Sequence, residues 1–266
     1  MRERLLVKPG ARPQLASIDP RETFGRERAS AEGDLQALRT RLEELQDRLW
    51  AGDGGALLVV LQGIDTSGKD GTLRHVMTAF NPQGCTVTLF GVPTPQELAH
   101  DYLWRVHQHT PARGTVSVFD RSHYEDVLVV RVHELVPKEV WSRRYDQINR
   151  FEEHLAANGT TIVKFFLHIS REEQRERLQA RIDTPEKRWK FRLGDLDERK
   201  RWDEYMAAYE EVLDRCSTEG APWYIIPADR KWFRNLAVAE ILVATLDEMG
   251  LSYPPAGEGI VGLVVE

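Results

Sequence analysis

Residues 63–72 read GIDTSGKDGT and directly follow the apolar run Leu57-Leu58-Val59-Val60-Leu61. The spacing Gly63…Gly68-Lys69 fits the first seven positions of G-x-x-x-x-G-K-[ST], a loop whose backbone N–H groups wrap phosphate oxygens. Glycine is needed where the backbone must close on an anion that a Cβ would hold off. Gly63, Ser67, Gly68, Lys69, Asp70 and Gly71 are therefore the candidate phosphate-binding residues. Lys69 adds a mobile positive charge, and a helix expected over Thr72–Phe80 points its positive end at the same anion. The eighth position departs from the pattern. Asp70 stands where a Ser or Thr hydroxyl would meet magnesium, so the metal must be held differently, and Asp65 inside the loop is the first candidate.

A second carboxylate comes from TVSVFD at 115–120, which reads as a buried strand ending in Asp120. A strand-end Asp beside such a loop is placed to reach the same cation. Asp65 and Asp120 are thus the candidate metal pair, for Mg2+ with Mn2+ as a substitute. An ordinary strand-turn-helix with a capping Asp is the bland alternative, and it leaves both pieces unexplained together. Farther on, Arg175, Arg177, Arg181, Lys187, Arg188, Lys190 and Arg192 face only Glu176, Asp183 and Glu186, a segment of +4 in a chain of −6. Helical periodicity is lost at IDTPEKRWKFRLGD, so the segment reads as a flap. Mixed charge runs usually mark a solvated helix face. Beside a phosphate loop, cations on a flap suit phosphoryl transfer, whose transition state spreads charge over oxygens.

These residues need a frame. At 266 residues, 41% apolar and 29% charged, the chain can bury a sizeable core under a polar surface. No apolar run is long enough to cross a bilayer, and MRERLLVKPGARPQ lacks an apolar stretch of signal-peptide length. Cys85 and Cys216 offer no bridge framework or metal spacing, and read as reduced thiols in a cytoplasmic protein. His107 and His109 decorate a helix end. The net charge of −6 argues against a nucleic-acid partner.

Residues 1–30 read as an irregular arm. Leu35, Leu38, Leu42, Leu45 and Leu49 make a helix over 31–50 with a narrow apolar stripe, packed on the core or, as a minority reading, on another copy. Strands are expected at 57–61, 86–92, 115–120, 161–169 and 223–228. Helices are expected at about 95–109, 138–157, from 171 and at 233–248. The alternation implies an αβα sandwich with a mainly parallel five-stranded sheet. The expected division is an arm and helix at 1–50, a phosphotransferase domain at 51–250 with its lid at about 171–201, and a tail at 251–266.

From residues alone the chain is a small P-loop kinase with a lid, its phosphate donor undecided. GIDTSGKDGT, PTPQELAHDYLWRVH (93–107), FDRSHYEDVLV (119–129), PEKRWKFRLGDLDERKRWDEY (185–205) and APWYIIPADRKWFRN (221–235) together resemble the polyphosphate kinase 2 family, over roughly residues 5–251. The resemblance implies transfer of a terminal phosphoryl group between inorganic polyphosphate and a nucleotide, AMP and ADP both, with magnesium. It also implies that Asp65 and Asp120 hold metal and that Lys69 and Arg121 contact phosphates. Arg181, Lys187 and Arg188 would line the donor path, and Glu125 and Asp126 would stand on the acceptor side. Adenine nucleotides, with guanine nucleotides beside them, and a homo-oligomeric assembly are the implied partners. An ATP-dependent nucleotide kinase and a non-enzymatic nucleotide-binding module are the competing readings.

Overall fold

The structure is a computed structural model that describes residues 1–52 and 54–265. Its centre is a six-stranded sheet of β1 (Leu6–Val7), β2 (Ala56–Gln62), β3 (Cys85–Leu89), β4 (Val116–Asp120), β5 (Thr160–His168) and β6 (Trp223–Pro227), in the order β1-β6-β5-β2-β4-β3. β2 through β6 run parallel, and β1 adds antiparallel to β6 by pairing Leu6 with Tyr224 and Val7 with Trp223.

β2 is buried along its whole length, because both sheet faces are covered and every other side chain points to each face. Leu57, Val59 and Leu61 pack with Val163, Phe165 and Ile226 under α2 (Arg28–Ala51) and α11 (Lys231–Glu248), the last of eleven helices among the described residues. Leu58 and Val60 pack with Phe119, Phe166 and Ile225 under α7 (Lys138–Ala157) and α10 (Trp202–Cys216). The helix expected at 138–157 has those bounds. The Leu stripe of α2 is consumed by the core: Leu42, Leu45 and Leu49 are fully buried, with Leu35 and Leu38 packed at the margin. The stripe thus faces this chain's own core.

Three expectations change. Residues 1–30 are not simply an irregular arm, since α1 (Arg2–Leu5) and β1 bring Leu5 and Val7 into the core and raise the strand count from five to six. A two-residue strand carries no readable period. The helix of the phosphate loop, α3, spans Lys69–His75 and gives way to a 3-10 turn at Met77–Ala79. The helix expected at 95–109 is two single turns, α4 (Pro95–Leu98) and α5 (Trp104–His107). Thr94 and Glu97 form a capping box at α4, and Asp101 accepts from the Leu103 N–H with its side chain and from the Trp104 N–H with its carbonyl, which starts a new turn. The helix break at Gly52 leads into Asp53, which lies outside the described residues. After α6 (Val129–Val132), the basic segment comprises α8 (Arg171–Asp183), a 3-10 turn over Pro185–Lys190 and α9 (Gly194–Lys200).

No helix among the described residues is long and apolar enough to cross a membrane. Cys85 and Cys216 are free thiols.

Candidate active site

The chain leaves the buried end of β2 into a loop whose shape depends on two glycines. Gly63 has φ 153°, and a Cβ there would stand 2.6 Å from Ser67 Oγ and 2.9 Å from the Leu167 carbonyl oxygen. Gly68 has φ 111° and starts α3, where a side chain would strike the guanidinium of Arg234. Thr66, at φ 66°, pays local backbone strain to keep the curve.

Lys69 folds back over this loop, and its Nζ donates to the Gly63 carbonyl at 2.8 Å. The side chain is buried. Burial lowers its pKa and Arg121 lowers it further, while Asp120, Asp65 and Glu125 pull it back up. These four residues are therefore gathered around one ammonium group.

β4 delivers Asp120 beside the loop, and the chain then turns through Arg121 at φ 64°. Arg121 Nη2 donates to Asp65 Oδ1 at 2.7 Å, and its Nη1 lies 3.5 Å from Glu125 Oε2. Burial alone would lower the Arg121 pKa, but Glu125 and Asp65 raise it on balance. Asp120 is buried with one carboxylate oxygen, Oδ1, lacking any partner, and burial raises its pKa against the pull of Lys69. Thr66 Oγ1 and Ser67 Oγ are likewise buried and unpartnered. Unmatched buried polar atoms of both kinds around a Gly-rich cradle fit an anion accompanied by a hard cation. Among the described residues no group of three or more His, Cys, Asp and Glu is arranged for a metal. The donor set therefore fits a cation carried largely by phosphates, with one or two carboxylates added, rather than an all-protein cage.

A 3-10 turn at His123–Asp126 follows, started by Ser122, whose Oγ accepts from the Tyr124 N–H. Gln62 Nε2 donates to Glu125 Oε1 at 3.1 Å, which holds Glu125 toward the loop. Asp126 instead pairs with Arg144 at 2.7 Å; burial pushes its pKa up to about 6 against the pull of Arg144 and Arg105. Beneath the turn, Tyr124 donates to Glu152, which also pairs with Lys164 in a fully buried cluster.

The basic segment lies across the loop. Lys190 Nζ meets Asp70 Oδ2 at 2.7 Å, so the eighth position of the loop pattern takes a lid ammonium, and this contact lowers the Asp70 pKa. Arg181 donates to the Lys190 carbonyl at 3.3 Å and lies 3.8 Å from Asp195, while Arg188 Nε donates to the Ile182 carbonyl at 2.8 Å. Both arginines hold the turn of the segment itself, and Lys187 stands on that turn near Lys231.

Four neighbours of the loop were not singled out from sequence. Gln174 Nε2 donates to the Asp65 carbonyl, and the Tyr209 hydroxyl lies against the Gly63 backbone. Arg177 Nη1 donates to the Thr66 and Ser67 carbonyls at 2.8 and 3.0 Å. Arg234 packs against Gly68 and Gly71. Arg177 belonged to the basic run and Arg234 to the WFRN stretch, but neither spacing reveals a contact made across more than a hundred residues.

The family model for polyphosphate kinase 2 matches residues 26–253. The AMP/ADP-polyphosphate phosphotransferase of Meiothermus ruber is 53% identical over 98% of this chain and 98% of its own. The ADP-polyphosphate phosphotransferase of Rhodopseudomonas palustris is 49% identical over 82% of this chain and 81% of its own. The crystal structure of a polyphosphate kinase 2 from Arthrobacter aurescens superimposes with a TM-score of 0.94 at 45% identity, covering 97% of this chain and 93% of that one. With that fold, this loop and these relatives, the chain belongs to the polyphosphate kinase 2 family.

Proposed function

We propose that this protein transfers the terminal phosphoryl group of inorganic polyphosphate to a nucleotide, converting AMP to ADP and ADP to ATP. The observation that carries the reading is the gathering of Lys69, Arg121, Asp65 and Asp120 at a phosphate loop, in a chain so close along its length to an AMP/ADP-polyphosphate phosphotransferase. Backbone N–H groups of residues 63–71 orient the donor phosphates, and Lys69 and Arg121 face the oxygens on which charge builds during in-line transfer. An incoming phosphate would take the Lys69 ammonium in place of the Gly63 carbonyl, and its negative charge would oppose the lowering that burial imposes. Asp65 and Asp120 would hold a divalent cation, Mg2+ with Mn2+ as a substitute, and such an ion would supply positive charge against the phosphate oxygens. Glu125 stands on the acceptor side, and Asp126 and Arg144 brace the turn that carries it. Arg181, Lys187 and Arg188 give the segment over the loop its positive character, which favours a polyanion over a nucleotide donor. Adenine nucleotides are the first acceptors and guanine nucleotides a second class.

The test is incubation of the purified protein with AMP, polyphosphate and magnesium, followed by product analysis. ADP should appear first and ATP after it. Product formed with ATP as donor and none with polyphosphate would return the chain to ordinary nucleotide kinases, and ADP use without AMP use would reject the dual acceptor. Association of copies is part of the proposal: β3 is a sheet edge with Val87 and Leu89 exposed, a surface that self-association would cover, and light scattering in solution reads it.

A further inference from the structure

Arg234 sits in the first turn of α11 with 2% of its surface exposed. Its Nε and Nη2 both donate to one acceptor, Asn235 Oδ1, at 3.1 and 2.8 Å, and Nη1 has no acceptor among the described residues. No carboxylate pairs with it among the described residues, and its charged neighbours Arg177 and Lys231 are themselves cations. Burial and Arg177 together pull its pKa down to about 9. A guanidinium buried without a counter-charge is unfavourable, since desolvation is not repaid by pairing. Structures tolerate such a group where something outside the chain completes it.

Its surroundings say what that would be. The guanidinium lies along Gly68 and Gly71, and a Cβ on Gly68 would stand 1.8 Å from Nη1, so two glycines keep the loop backbone flat against it. Lys231, exposed on the first turn of α11, feels Arg177, Arg234 and the lid residue Lys187, with Glu173 opposing. Glu173 is already paired with Arg177 at 2.7 Å. The remaining bonds of Arg177 go to the carbonyls of Thr66, Ser67, Ala228 and Asp229, which anchors it. The N-terminal turn of a long helix, with its free N–H groups, adds to the positive character of this place.

We infer that Arg234 and Lys231, braced by Arg177, form a second anion subsite against the Gly68–Gly71 backbone that grips a phosphate of the donor chain beyond those held in the loop. The inference rests on the polyphosphate reading above and adds a property to it: the protein distinguishes donors by length, because only a long chain reaches both places. Tripolyphosphate fills the cradle alone.

The experiment is equilibrium binding of long-chain polyphosphate and of tripolyphosphate to the wild type, Arg234→Met and Lys231→Gln at one fixed ionic strength. In the wild type the long chain binds more tightly than tripolyphosphate, and each substitution lowers the ratio of the two affinities about tenfold. A ratio within twofold of the wild type in both variants overturns the subsite. Equal weakening of both ligands also overturns it, marking a general loss of the loop. Thermal unfolding without ligand separates binding from scaffolding. An unpaired cation makes Arg234→Met as stable as the wild type or more so, whereas a marked loss of stability identifies a structural pillar and overturns the inference. Should Arg234→Met not fold, Lys231→Gln, at an exposed position, decides alone. Turnover of ADP with polyphosphate by the same wild-type preparation tests the proposed function separately, because binding is read whether or not transfer occurs.

Discussion

Asp120 carries a carboxylate oxygen with no partner among the described residues, and its burial favours the protonated form. A group whose folded pKa is raised stabilises the protein at low pH and loses that contribution as pH climbs through the folded value. At neutral pH the metal-free protein should therefore be more stable as Asp120→Asn, seen as a rise in Tm, while activity falls by about 100-fold or more and the magnesium requirement climbs. A variant that loses stability and keeps its metal dependence would make Asp120 a plain structural residue. Lys69→Met behaves in the same sense: the buried ammonium loses one hydrogen bond to Gly63, worth about 1 kcal/mol, against relief of its desolvation, so unfolding should shift little. Turnover should drop about 1000-fold, the scale for removing a charge placed on developing negative charge. Asp126 provides a titration. Its pKa of about 6 lies above the ordinary carboxylate value, so wild-type stability should fall relative to Asp126→Asn between pH 5 and 7. Parallel Tm curves for the two proteins over that range would contradict the burial argument.

Beyond the bonds of Gln174 and Arg177 at its base, the lid meets the phosphate loop through an ion pair, Asp70 with Lys190, whose side chains are 59% and 24% exposed. Pairs so open to water are worth about 0–1 kcal/mol. Asp70→Asn should therefore leave Tm nearly unchanged but increase opening of the segment up to about fivefold, read as faster trypsin cleavage after Arg188 and Arg192. Cleavage at the wild-type rate would mean the pair does not hold the segment. Elements of this kind mark where the sequence is legible. α7 kept its bounds because one face, Trp141, Tyr145, Ile148 and Leu155, recurs at helical spacing into the core. The 95–109 stretch broke because its polar caps at Thr94 and Asp101 compete with a continuous helix, and such local hydrogen bonds are invisible to periodicity. The loop and its strands were legible down to Asp120, since phosphate chemistry demands fixed types at fixed spacing. Arg234 was not, because it acts through a packing contact that only the folded chain creates. Asp70 shows the limit from the other side, a conspicuous position whose partner lies 120 residues away.

At the scale of the molecule, β1 closes the sheet on the β6 side with only two residues. Leu5 and Val7 are each 4% exposed, and burying two such side chains contributes roughly 3–6 kcal/mol as an upper figure. Deleting residues 1–8 should lower Tm by on the order of 10 °C and bare the β6 edge, detected as concentration-dependent association. An unchanged melting curve would show that the strand is ornamental. The pairing of Leu6 with Tyr224 also has a temporal side. A ribosome releases residue 6 long before residue 224, so the opening segment must wait, unpaired and apolar, until nearly the whole domain has been made. The sheet is thus sealed by residues made long before their partner strand, and a truncated translation product ending before β6 would carry an unfilled strand position and two bare side chains, features that quality-control chaperones and proteases recognise in unfinished chains.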